Sequence, residues 1–480
     1  MYIILIIIIP FILAAYTHLW NPIGFPLGLP YDEGIYLRRT MNVLVGQGPQ
    51  ESSLYDHPYF GQLFLAGVLK MIGYPNSLNP SIGDVHSIEM LLLVPRIFMG
   101  LLAVVDTYII YKICEVRYNN RTIGIIASTL FAVMPITWMI RIMWLESIQL
   151  PFFLSSILFA VYTKNSTDNH SIILKSLVSG IFLGLAIFTK LPILSMIPLT
   201  GFIIYTNTNR SLKVLGIWFI PVVLIPLIWP AYAINTGQFN LWLTGLYFQT
   251  HRGVQTLLSS LKYDFQIDPI LLSLAVIGLF FITIKRDVIL LLWVIPFIIF
   301  LYFVGFVSFW HLIPLLPAFS IMAARLIVNL SQIIVGKKIQ QTVTFTVVSV
   351  LGIVGLTSTL NLIITSNDNT SYFKALAFVS QYLSNNNAHN EKISVVSNPF
   401  YSWIPKYVFH LNQNNYVDYY DNVLVKDQRV LLIVDPSFVY RLNHHIAGNQ
   451  MEKNFGMYSK NKIAIFGGGL NDLITIYEYK

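Results

Sequence analysis

The sequence predicts a polytopic α-helical membrane protein of about 11 spans, with a water-soluble α/β domain at its C-terminal end. Three observations carry this. Hydrophobic residues make up 55% of the 480 and charged residues only 11%, where a soluble domain carries roughly 25% charge. Charge is unevenly spread: 33 of residues 1–365 are charged, against 19 of the 115 in 366–480. The apolar residues also come in runs long enough to cross a bilayer, about 20 residues each. This composition excludes a soluble globular enzyme, a disordered chain and a nucleic-acid-binding domain. The net charge of +8 reads as Lys and Arg on cytoplasmic loops. The single cysteine, Cys114, excludes an intrachain disulfide and a thiolate metal cluster.

The predicted spans lie near 2–20, 90–113, 123–140, 147–162, 173–189, 192–206, 214–234, 268–284, 287–304, 310–330 and 343–364. The first lacks a basic flank and a small-x-small cleavage site, so it reads as an uncleaved anchor. Lys190 and Pro192 interrupt 173–206 and make it the weakest stretch. Cations fix the orientation. With the N-terminus cytoplasmic, the inner connections carry Lys112, Arg117 and Arg121; Lys164 and Lys175; Arg210 and Lys213; Lys285 and Arg286; Lys337 and Lys338. The other face receives three long segments, 21–89, 235–267 and 366–480. The division is therefore a membrane domain over 1–365, with a large first outer loop at 21–89, and an extracytoplasmic domain over 366–480. In the latter, 372–384 has helical spacing, while 393–397 and 430–434 read as strands. It shows no phosphate loop, metal spacing or nucleophile elbow.

Nine of the 13 acidic residues in 1–365 fall on the predicted outer side: Asp32, Glu33, Glu51, Asp56, Asp84, Glu89, Glu146, Asp264 and Asp268. Asp32 and Glu33 follow the first span almost directly, and Tyr55-Asp56-His57-Pro58 comes twenty-odd residues later. Residues 34–45 and 59–72 suit helices lying along the interface. Glu146 sits in RIMWLESIQL with almost no loop around it, so it is partly desolvated, a setting that suits proton work. Lys190 stands at an outer helix end. Arg96, near the outer end of span two, needs a partner, for which Glu89 is the nearby candidate. Asp106, inside a span, needs one too. Each residue has a structural alternative: an N-cap for Asp32-Glu33, a turn for Asp56-His57-Pro58, an ion pair with Arg141 for Glu146, snorkelling for Lys190.

These residues resemble the GT-C glycosyltransferases, in particular the protein O-mannosyltransferase and aminoarabinose-transferase branch. That branch places an acidic pair after the first span, as Asp32-Glu33 stands here. An acidic-basic-Pro-Pro type motif follows, matched by Asp56-His57-Pro58 with Tyr59 in place of the second proline. Glu146 matches an acid at the start of the fourth span, and Arg96 an arginine in the second. Gly180 to Lys190 matches a Gly-x-x-x-Gly-Leu-Ala-x-x-Thr-Lys run, and His311-Leu-Ile-Pro314-Leu-Leu-Pro317 a late Pro-x-x-Pro helix start. His311 stands where a basic-aromatic residue often precedes those prolines. The resemblance covers about residues 1–330 and rests on order and spacing.

The resemblance implies a multi-pass membrane enzyme that moves a monosaccharide from a polyprenyl-phosphate donor to a protein, lipid or glycan acceptor on the outer face. A lipid-borne donor presents its sugar at the interface among membrane lipids, so no nucleotide-binding domain is needed. The acceptor hydroxyl must lose a proton and the leaving phosphate must be stabilised. Asp32 is taken as the base. Glu33, Asp56 and Glu146 orient the acceptor, bind sugar hydroxyls or hold a divalent cation, for which Asp56 and His57 are the candidate ligands and the metal is unassigned. Lys190 leads the candidates for the donor phosphate, followed by Arg96, Arg252 and His311. Two other classes fit less well. A lipid or solute transporter suits Arg96 and Asp106 but leaves the outer acids unexplained. An oligosaccharide ligase or polymerase differs in donor chain length.

Overall fold

The computed structural model describes residues 2–23, 31–51, 55–166, 168–251, 256–365, 370–387, 393–397, 401–411, 416–418, 429–435, 461–468 and 473–479. The helices are α1 Tyr2–Leu19, α2 Tyr31–Leu44, α3 Phe60–Met71, α4 Val85–Met90, α5 Leu93–Tyr118, α6 Arg121–Val133, α7 Leu145–Tyr162, α8 Asn169–Thr189 and α9 Ile197–Asn207. They continue as α10 Leu212–Leu224, α11 Ile228–Asn235, α12 Phe239–His251, α13 Leu257–Ile267, α14 Pro269–Phe280, α15 Ile284–Val304, α16 Leu316–Thr365, α17 Thr370–Asn387 and α18 Trp403–Tyr407. Among the described residues, seven helices are long and apolar enough to cross a membrane, or nine if each of two sharply bent pairs counts as one span. The shorter apolar helices Ile7–Leu19 and Leu191–Asn207 fall on the two remaining predicted spans, so every predicted run has a helix.

The bends have identifiable causes. Short 3-10 turns at Pro135–Arg141, Leu191–Met196 and Phe309–Leu315 each contain a proline, whose missing N–H and fixed φ interrupt the α-helical ladder. Pro269 starts α14 after a 117° break from α13. α16 covers two predicted spans. The Gln340 side chain donates to the Val328 carbonyl at 3.3 Å. In a straight helix those residues would stand about 18 Å apart, so the segment doubles back between them.

The chain divides into two compact units. The first comprises Met1–Trp20, Gln50–Gly61 and Ile97–Asn361; the second comprises Asn21–Pro49, Gln62–Arg96 and Leu362–Lys480. This cut differs from the charge boundary at 365/366, because most of the first loop folds with the C-terminal residues. α4 packs on α17 and α2 on α18, and Gly83 N donates to Ser380 Oγ at 2.9 Å. Asp84 caps α4, and the Ser87 hydroxyl and backbone N–H hold its carboxyl below the usual range.

The second unit carries a five-stranded sheet: β1 Ile393–Ser397, β2 Tyr416–Asp418, β3 Arg429–Val434, β4 Asn461–Phe466 and β5 Ile474–Tyr479, in the order β2-β1-β3-β5-β4. β1 runs parallel to β2 and β3, whereas β5 runs antiparallel to β3 and β4. All five residues of β1 are buried, as the continuous run ISVVS requires of an inner parallel strand.

In the first unit, α7 and α8 form a short-looped hairpin, and α10 lies along α8. The close approach explains the Gly180-x-x-x-Gly184 spacing. A Cβ on Gly180 would sit 2.1 Å from the Trp218 carbonyl oxygen, and one on Gly184 2.5 Å from that of Pro221. Both obstacles are backbone, so the helices would have to separate. Gly180→Ala is expected to destabilise the protein by about 1–3 kcal/mol, the usual cost of overpacking. A thermal midpoint in detergent checks this against Gly216→Ala, where a Cβ meets nothing within 4 Å.

Candidate active site

The α7–α8 hairpin sets two opposite charges side by side. Glu146 lies in the first turn of α7 and Lys190 caps the last turn of α8. The helices are antiparallel, so these two ends are neighbours. Each charge also favours its own helix terminus, an acid at the N-terminus and a cation at the C-terminus. Lys190 Nζ donates to Glu146 Oε1 at 2.5 Å, with both side chains almost wholly buried (3% and 2% exposed). α8 stops there: Pro192, which has no N–H to give to Phe188, opens the 3-10 turn Leu191–Met196, and Lys190, its N-cap, is extended at φ −156°, ψ 131°.

His311, on the 3-10 turn Phe309–Leu315, completes the group. Its Nδ1 accepts from Ser308 N at 2.9 Å. That fixes the ring proton of the neutral imidazole on Nε2, which lies 3.7 Å from Glu146 Oε1. Aromatic rings enclose the set: Trp144 lies 5.1 Å from Trp310 and 5.8 Å from Phe309, centre to centre.

The Asp56-His57 segment packs against the same helix ends. Tyr55 stacks on Trp229 at 6.2 Å, and Tyr59 meets Phe188, two residues before Lys190, at 4.9 Å. Burial raises both phenols above their ordinary range, with Tyr232 adding to the effect, so they stay protonated. Tyr59 thus anchors the motif against the end of α8. Gly61 follows so closely that its Cβ would sit 2.7 Å from Leu145 Cδ2 and 3.1 Å from Thr189 Cγ2. Gly245 of α12 crosses Tyr55 at backbone contact. His57 Nε2 lies 3.8 Å from Asp56 Oδ2. Among the described residues no three His, Cys, Asp or Glu side chains come together to hold a metal. Asp56 and His57 offer two ligands, short of a complete shell.

Asp32, Glu33 and Arg96 belong to the second unit. Asp32 and Glu33 occupy the first turn of α2. Glu33 is fully buried and its two oxygens accept from Arg96 Nε at 2.9 Å and Nη2 at 2.8 Å. Arg96 Nη1 donates to the carbonyl of Ile23 at 2.9 Å. This corrects the expectation of a Glu89 partner: the Glu33 fork takes the guanidinium bidentately, whereas Glu89 faces His86 at 3.7 Å. Asp32, one residue earlier, is half-buried. Arg141, the structural alternative for Glu146, donates to the carbonyl of Trp20 at 2.8 Å. Asp106 is buried, and neither of its oxygens has a hydrogen-bond partner among the described residues, against the expectation of one. Arg252 lies outside the described residues.

One residue escaped sequence reasoning. Gln149, one turn beyond Glu146 and buried, donates to the carbonyls of Ala186 at 2.7 Å and Lys190 at 2.6 Å. It satisfies the Lys190 carbonyl beyond the broken end of α8 and adds a second donor to that of Ala186, which also accepts from Lys190 N. Its i, i+3 spacing from Glu146 was the available signal.

Known proteins share this architecture. The structure is similar to ArnT from Cupriavidus metallidurans bound to undecaprenyl phosphate (TM-score 0.55, 11% identity, 99% of this chain and 98% of that one). Apo ArnT gives a TM-score of 0.57, at 11% identity over 99% of this chain and 97% of that one. The Archaeoglobus fulgidus oligosaccharyltransferase gives 0.56 at 12% identity, over 96% of this chain and 73% of that one. This is the GT-C glycosyltransferase fold. Residues 50–250 match the model of the dolichyl-phosphate-mannose-protein mannosyltransferase family. Comparison with curated protein sequences gives no match. The family match covers 201 of the 480 residues and the structural likeness extends over nearly the whole chain, with apolar helices long enough to cross a membrane.

The buried Glu33–Arg96 pair yields a stability test. Glu33→Leu strands a buried guanidinium and is expected to cost about 3–5 kcal/mol. The double variant Glu33→Leu/Arg96→Leu should recover most of that loss. Chemical denaturation of the purified variants reads both, and equal destabilisation of single and double would contradict the pairing.

Proposed function

We propose that this chain transfers a monosaccharide from a polyprenyl-phosphate donor to a protein, lipid or glycan hydroxyl at the outer membrane face, with the N-terminus cytoplasmic. The observation that carries this reading is the buried Glu146–Lys190 pair, set with His311 where three proline-broken helix ends meet. An anionic leaving group needs such a preformed cation at the membrane surface. ArnT, of the same fold, has been seen with undecaprenyl phosphate, which supports a lipid phosphate as the carrier.

In this reading the acceptor oxygen bonds to the anomeric carbon while the bond from that carbon to the phosphate oxygen breaks. Asp32 takes the acceptor proton, and the polyprenyl phosphate leaves as an anion. Asp32 suits the base better than Glu33, whose two oxygens are committed to Arg96. Lys190 has three ammonium hydrogens, one of them given to Glu146, and offers the others to the phosphate. The donor-phosphate role of Arg96 is weaker, because the carboxylate of Glu33 already holds it. Asp56 and Glu146 orient acceptor and sugar hydroxyls. The likeness to an oligosaccharyltransferase favours a second reading, transfer of a lipid-linked oligosaccharide, which donor chain length separates from the first.

Purified protein in lipid, given labelled polyprenyl-phosphate monosaccharides, mannose first, tests both roles. Asp32→Asn should lower kcat by about 10²–10⁴-fold, the span of general acid–base catalysis, with insertion intact. Lys190→Ala should raise the donor KM by about ten- to a hundredfold, the worth of one charge-assisted hydrogen bond. Wild-type turnover in Asp32→Asn removes it as the base, and an unchanged donor KM returns Lys190 to a purely structural pair.

A further inference from the structure

The sheet of the second unit has the order β2-β1-β3 over its parallel strands. In such a sheet the point between β1 and β3, where connections leave in opposite directions, opens a crevice at the carboxyl ends of the strands that commonly takes a ligand. Tyr401, Ser402 and Asp435, described residues near those ends, are occupied with the protein itself. Tyr401 stacks on Tyr372 at 3.6 Å, and the Tyr372 hydroxyl donates to Asp435 at 2.7 Å, just after β3. Buried Ser402 accepts from Arg38 Nη1 of α2 at 2.8 Å.

α18, which begins at the next residue, continues the contact. Lys406 Nζ donates to Asn42 Oδ1 and Gln47 Oε1, each at 3.0 Å. The Tyr407 hydroxyl donates to the same two side chains. Arg38 and Asn42 are one turn apart and share a face of α2. At the other end, Glu33 is clasped by Arg96. α2 is therefore pinned at both ends, and Asp32 stands one residue from the first pin.

We propose that the C-terminal domain is a clamp: it uses the crevice edge of its sheet and α18 to hold α2, and thereby sets the position of Asp32, with Ser402, Lys406 and Tyr407 as positioning residues. This rests on the reading of Asp32 as the base. A pinned helix fixes the carboxylate within the small tolerance that proton transfer allows. The domain contributes to turnover without touching the donor or the acceptor.

The test uses the full chain in nanodiscs, labelled polyprenyl-phosphate mannose as probe, and the double variant Lys406→Ala/Tyr407→Phe. The expected result is a kcat at least tenfold lower, donor and acceptor KM within twofold of wild type, and at least tenfold faster amide hydrogen exchange in 34–44. Asn42→Leu, which breaks the same contacts from the α2 side and leaves the domain intact, should give the same split. Lys406→Arg, which keeps the cation, should restore most of kcat. A raised acceptor KM with unchanged exchange would overturn the clamp in favour of acceptor recognition. Unchanged kinetics and exchange would overturn it outright. Asp32→Asn runs alongside. If it is inactive while the clamp variants behave as wild type, the clamp alone fails; if it turns over normally, the assignment of the base fails first.

Discussion

A lysine and a glutamate buried among aromatic rings can keep their charges only by holding each other. Removing either would leave an uncompensated ion in a low-dielectric interior, at a cost of several kcal/mol. The Glu146–Lys190 pair is thus the constraint around which the first unit is organised. It requires α7 and α8 to be antiparallel neighbours, α8 to end at Thr189, and α7 to begin at Leu145. Gln149 ties the carbonyl of Lys190 back to α7. His311 reaches the same carboxylate from a third broken helix. The Tyr55–Gly61 segment closes against the helix ends through contacts a larger residue than glycine would block. In the proposed reaction the same feature serves the chemistry, since an ammonium already held in place needs no reorganisation when a phosphate leaves.

Much of this was legible in the sequence. A bilayer-length apolar run needs no tertiary information, so all eleven predicted spans have helices. Pro192 marked where a helix breaks and Pro314 where one starts, whereas the break at Pro135 lies inside the span read as 123–140. The strands at 393–397 and 430–434 and the helix at 372–384 were readable from periodicity. What failed was pairing. Glu89 was the nearest acid to Arg96 along the chain, yet the true partner, Glu33, comes 63 residues before it. Arg141 was the nearest cation to Glu146, yet Lys190 lies 44 residues on. Local spacing ranks neighbours by sequence distance, whereas a hairpin of two spans brings together residues about two membrane thicknesses of chain apart.

The division into units was hidden for a related reason. Charge density separates 366–480 from what precedes it, but α2 and α4 are too short and too polar to stand alone. They are packed on α18 and α17, so the first loop and the C-terminal residues fold together. The acids at 32 and 33 gained distinct surroundings this way. One is sealed against an arginine and the other is half-buried, a difference the dipeptide itself could not reveal.

The central claim, that the site is built for a lipid-borne phosphate, is most directly tested by binding rather than turnover. The affinity of the protein in nanodiscs for polyprenyl monophosphate should be measured against the uncharged polyprenol of equal chain length. The account predicts at least tenfold tighter binding of the phosphate, about 1.4 kcal/mol. Equal affinity for the two lipids would contradict it.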